Sequence, residues 1–103
     1  MTLYLEATLL LLPTDTGGRA AAVEPRAGSY LPYLRAGGRT TRARLIEGPP
    51  RLAPGDAAQV VFEIEEHAAA DVHPGAELAL LERDARVVGS VTVLRVWGRA
   101  LAV

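Results

Sequence analysis

Ala58-Gln59-Val60-Val61-Phe62-Glu63-Ile64-Glu65 is the most regular stretch of the chain. Ala58, Val60, Phe62 and Ile64 alternate with Gln59, Glu63 and Glu65, and only Val61 breaks the rule. Side chains on a strand point to opposite faces in turn. This period of two therefore predicts a β-strand with the apolar set inward. Pro54-Gly55-Asp56 just ahead of it is a turn signal. The same reading extends in both directions. Leu3–Leu12 carries Leu3, Leu5, Ala7, Leu9 and Leu11 on one face, with Tyr4, Glu6 and Thr8 on the other. Arg39–Ile46 sets Thr41, Ala43 and Leu45 against Thr40, Arg42 and Arg44. Glu77–Arg83 and Arg86–Trp97 follow after the loop at Glu66–Gly75. Ser29–Arg35 completes the set, with Pro32 inside it. Proline brings no ladder donor, so this strand is expected at an edge or with a bulge. Gly89, in the middle of the last strand, predicts a bulge or a sharp bend. The only helical alternative, Ala68–Val72, is too short to matter. Six short strands, regular turn signals and no long helix predict an all-β fold, a closed six-stranded antiparallel β-barrel.

With 103 residues, half of them hydrophobic, the chain fits a single domain over 1–103, with its core at about 3–97 and a tail at 98–103. There is no cysteine, which excludes disulfides, a thiolate metal site and a cysteine nucleophile. All 11 basic residues are arginine, so a lysine Schiff base and a phosphate-loop lysine are excluded too. The net charge of −1 is unevenly spread. Residues 17–51 hold seven arginines against Glu24 and Glu47, while residues 52–84 hold eight acids against Arg83. Met1–Leu12 lacks a basic leader and a cleavage site, and its apolar run is too short for a bilayer. A soluble, cytoplasmic protein without a membrane segment is expected.

Catalytic chemistry finds little support. His67 and His73, near Glu65, Glu66 and Asp71, match no metal-ligand spacing, and the plain reading is a solvated loop. Glu63, Glu65, Glu66 and Glu82 contain no evident convergent acid–base pair. Gly37-Gly38-Arg39-Thr40-Thr41 precedes a strand rather than a helix and lacks the lysine of a phosphate cradle. No enzyme activity, metal, cofactor or nucleotide is expected. The strongest local signal is a stripe of arginines: Arg42 and Arg44 on one face, with Arg35 and Arg39 across a tight turn. Guanidinium groups at this density can grip phosphates. Alternatively, antiparallel pairing of Arg39–Ile46 with Ala58–Glu65 would set Arg42 and Arg44 opposite Glu63 and Glu65 as cross-strand ion pairs.

The order of short motifs resembles a known domain. Gly17-Gly18-Arg19, Tyr30-x-Pro32, Pro54-Gly55-Asp56, Gly75 and Glu82-x-x-x-Arg86-x-Val88-Gly89 resemble, in sequence and spacing, the C-terminal domain of elongation factor Tu. The resemblance covers about residues 3–97. It implies a six-stranded antiparallel barrel, which in the full factor packs on a GTPase domain, touches the T-stem backbone of tRNA and meets the exchange factor. By match, Gly17, Gly18, Arg19 and Ala79 would form the protein-facing surface, and Glu82 through Arg86 would lie near tRNA. Tyr30, Pro32, Pro54, Gly55, Asp56 and Gly89 would be structural. The chain departs from the pattern at Leu31, which replaces an arginine, and at Asp84-Ala85, which replaces a Gly-Gly turn.

Two functional expectations follow. One is a stand-alone, non-catalytic module that docks on a protein partner or on itself, with Leu10, Leu12, Val61 and Trp97 leaving apolar surface exposed. The other is a module that binds tRNA-like backbone through Arg35, Arg39, Arg42 and Arg44, with Glu82 and Arg86 nearby.

Overall fold

The computed structural model describes residues 2–65, 72–82 and 85–98. Six strands form: β1 (Thr2–Leu11), β2 (Tyr33–Ala36), β3 (Arg39–Glu47), β4 (Ala57–Glu65), β5 (Glu77–Leu81) and β6 (Val87–Gly98). They close into an antiparallel barrel in the order β1-β4-β3-β2-β5-β6, with β6 returning to β1. The alternation dictates this directly. Leu3, Leu5, Ala7, Leu9 and Leu11 of β1 are buried. So are Val60, Phe62 and Ile64 of β4, directly across from Ala7, Leu5 and Leu3. Glu66, His67 and the 68–71 part of the short helical alternative lie outside the described residues, as do Asp71, Arg83, Asp84 and the tail beyond Gly98.

Three bulges interrupt the ladders among the described residues. Ile46 is the extra residue between β3 and β4, Val88 between β5 and β6, and Leu94 between β1 and β6. Each adds local twist and bends its strand. The bulge at Val88 puts two successive residues, Val88 and Gly89, inside. Gly89 belongs there because a Cβ would come within 2.6 Å of the Leu10 carbonyl oxygen on β1.

Pro54-Gly55-Asp56 is a turn closed by Asp56 N–H to the Ala53 carbonyl at 2.9 Å. Pro54 and Gly55 occupy its two central positions, and Gly55 has φ +91, which a second central glycine meets without strain. The Asp56 carboxylate accepts from the Ala53 N–H at 2.9 Å. Gly55 N–H donates to Leu11 at 2.9 Å and Leu11 N–H donates to Asp56 at 3.0 Å, so the turn is pinned to the end of β1.

Strand β2 corrects two expectations. It begins at Tyr33, after the proline, and it is no edge, because it pairs with both β3 and β5. Pro32 lacks a donor but keeps its acceptor: its carbonyl takes the Ala43 N–H at 2.9 Å, and the Tyr30 carbonyl takes that of Leu45 at 3.1 Å. The missing N–H therefore costs this pairing nothing. Val61 is also corrected. It lies on the outer side yet is only 9% exposed, because the register sets it between Glu6 of β1 and Glu47 of β3. One end of the core is completed by loops, where Val23 and Leu52 exchange backbone hydrogen bonds at 2.8 Å and are both buried.

Candidate interaction surface

The expected functional residues fall into two groups on the barrel. The first joins three segments distant in sequence: the loop holding Arg19, the stretch before β2 holding Tyr30, and the turn after β5 holding Glu82. The Tyr30 hydroxyl donates to Glu82 Oε2 at 2.8 Å. Arg19 Nε lies 3.0 Å from the same oxygen, off the line of a hydrogen bond, so that contact is ionic. The Arg19 guanidinium also sits 5.0 Å over the Tyr30 ring and donates to the Ala22 carbonyl at 3.3 Å. Arg86 approaches Glu82 Oε1 at 3.7 Å. Glu82 N–H donates to Arg86, and Ala85, at φ +62, donates to Glu82. The Ala85 conformation is one that glycine takes more easily.

Glu82 therefore faces Arg19, Tyr30 and Arg86 of its own chain. Gly17 is exposed and Gly18 is buried, its N–H donating to Pro13 at 2.9 Å. Ala79 stands apart on β5, between Arg35 of β2 and Ser90 of β6.

Burial pushes the Tyr30 phenol well above its ordinary value of 10.0. The hydrogen bond to the Glu82 carboxylate and its negative charge act the same way, and Arg19 opposes them. A folded pKa above the unfolded one gives stability that is complete below about pH 10 and is lost as pH rises beyond it. Tyr30→Phe is expected to lose about 1.5–3 kcal/mol at neutral pH, the range for a hydrogen bond to a charged group. It should also show a shallower loss of stability above pH 10. Urea denaturation of both proteins from pH 7 to 11 measures this, and parallel pH profiles would count against the Tyr30 assignment.

The second group is the arginine face on β2 and β3. Arg44 donates to both oxygens of Glu63, at 3.1 and 3.2 Å, directly across the β3–β4 ladder. Arg42 turns the other way. It donates to the Tyr33 hydroxyl at 2.9 Å and lies 5.3 Å from that ring centre, across β2. Arg35 and Arg39 are exposed at the β2–β3 turn.

The outer band continues over β1 and β6. There Tyr4 stacks on Trp97 at 5.8 Å, Arg95 covers Trp97 at 4.4 Å, and Glu6 approaches Arg95 at 3.5 Å. Of the apolar residues expected on the surface, Leu10 is exposed, and Leu12 and Trp97 are half-buried. Leu31, Val87 and Leu94 are exposed as well, and sequence reading missed them. Leu94 follows the alternation of β6, in which Val91 and Val93 are buried and Thr92 and Leu94 turn outward; the bulge breaks that alternation one residue later, at Arg95.

His73 is exposed, with Nδ1 3.1 Å from the Pro74 carbonyl oxygen. Among the described residues no helix is long and apolar enough to cross a membrane. Compared with protein-family models and with curated proteins, the chain matches none.

Proposed function

We propose that this chain is a non-catalytic β-barrel module that docks on protein, related to the C-terminal barrel of elongation factor Tu and acting in the cytoplasm. Its motif order and its six antiparallel strands support that kinship. The observation that carries the docking reading is the pairing of Arg44 with Glu63 and of Arg42 with Tyr33. A phosphate-gripping surface needs guanidinium groups free to turn outward. Here Arg44, at the centre of the stripe, has its charge matched by Glu63 on the same barrel, and Arg42 is held by the Tyr33 hydroxyl, which leaves its charge unmatched. Leu10, Leu31, Val87 and Leu94 meanwhile present apolar side chains to solvent.

One observation favours the RNA alternative. Arg35 is exposed and makes no side-chain hydrogen bond, ion pair or ring contact among the described residues. Contact with tRNA-like backbone through Arg35, Arg39, Arg42 and Arg44 predicts affinity that falls steeply with salt. The salt slope should then shrink by about one for each contacting arginine removed. The docking reading expects no saturable tRNA binding in a fluorescence titration at low salt, together with a protein complex that survives moderate salt. Steeply salt-dependent tRNA binding would replace it with the RNA reading. A monomer that retains no protein partner in a pull-down would overturn it.

A further inference from the structure

A cleft of about 280 Å³ opens on the barrel surface where β3 meets β4. Its lining includes Ala43 and Ile64, both buried, with Arg42 and Arg44 from β3 and Glu63 and Glu65 from β4. Leu31, at 49%, is the most exposed large hydrophobic side chain among the described residues, and it lines the same cleft. Two of the four charges are already matched, because Arg44 and Glu63 satisfy each other. The other two are not matched to each other. Arg42 leans across β2 onto Tyr33, and Glu65 makes no side-chain hydrogen bond or ion pair among the described residues. Among the described residues the patch thus holds one unanswered acid, one base held by a neutral partner, and a half-exposed apolar side chain.

We propose that this patch is a self-complementary docking site for a second copy of the chain. A two-fold axis brings the same patch of each copy together, so residue i meets residue j and j meets i. Arg42 of each barrel then faces Glu65 of the other, and each Leu31 enters the other's cleft. The charges select a second copy over a generic partner, because each patch carries both members of the pair it needs. Closure of the barrel points the same way. With every strand paired on both sides, a second copy cannot join by adding a strand, and side chains must make the contact. The contact rests on the reading of the barrel as a protein-docking module and names one partner for it.

Charge exchange tests it. Sedimentation of the full chain over a concentration series should show a monomer–dimer equilibrium that weakens with added salt. Arg42→Glu alone puts Glu against Glu65, and Glu65→Arg alone puts Arg against Arg42. Each should weaken association by about tenfold or more. Mixing the two single variants should restore dimers, as heterodimers, and the double exchange should restore them within one chain. Glu65→Gln, a milder change on an exposed site, should weaken association without repulsion, and thermal melts confirm that each variant is folded. A strict monomer at every concentration overturns the proposal. So does a dimer indifferent to both single exchanges, or one that the mixture fails to restore. Each of these outcomes leaves docking on a different protein standing, whereas tRNA binding would remove that broader reading.

Discussion

Phe62→Ala is expected to remove most of the margin by which this barrel stays folded. The ring is 0% exposed, and Leu5 and Leu45 lie directly across from it on the two flanking strands. Truncating a buried phenylalanine costs about 3–5 kcal/mol, because the vacated space is only partly refilled. Small domains hold about 5–15 kcal/mol in all. At about 4–8 °C per kcal/mol for a chain of this size, the midpoint should fall by at least about 12 °C. Thermal denaturation followed by circular dichroism measures it. A loss below about 1 kcal/mol would place the ring outside the core. Phe62→Leu should recover much of the stability, since most of the volume returns.

Gly89→Val is expected to be nearly as severe for the opposite reason. Here space is lacking. The first added carbon would stand 2.6 Å from the Leu10 carbonyl oxygen and 3.3 Å from Leu80 Cδ2. The side chain of Leu80 can yield, but the carbonyl cannot move without disturbing the β1–β6 ladder, in which Gly89 pairs with Leu11. Overpacking costs about 1–3 kcal/mol, and a clash with backbone belongs at the upper end. Gly89→Ala should already be harmful, because the Cβ itself makes the clash. Ser90→Val, one residue along and exposed, should change stability by no more than about 0.5 kcal/mol. Equal melting points for Gly89→Val and Ser90→Val would rule out the close approach of β1 and β6 at this point.

Most of the strands were legible because alternation is a local property. Each of the runs at Leu3–Leu11, Arg39–Leu45 and Ala58–Ile64 declares its inner face within a few residues. Gly89 was legible for a related reason: a missing side chain inside an apolar strand needs an explanation, and close packing supplies it. The limits are physical too. Ile46 and Leu94 are bulge residues that nothing in their own strand announced, because a bulge depends on two strands at once; the bulge at Val88 was signalled by its neighbour Gly89. Pro32 suggested an edge because its missing donor was visible, while the use of its carbonyl by Ala43 depended on a strand elsewhere. The arginine stripe allowed two outcomes. One of the two proposed cross-strand pairs formed, Arg44 with Glu63, and Arg42 chose Tyr33 instead. The grouping of Arg19, Tyr30 and Glu82 spans more than half the chain, and nothing near any one of the three announces the other two.

The route by which β1 finds its partners also constrains when the chain can fold. Its two neighbours are β4 and β6, so residues 2–11 cannot complete their pairing until residues 87–98 exist. Contacts this distant along the chain slow folding. During synthesis, one side of residues 2–11 stays without its ladder until residues 87–98 have been made. The sixth stave is the one that seals the cask.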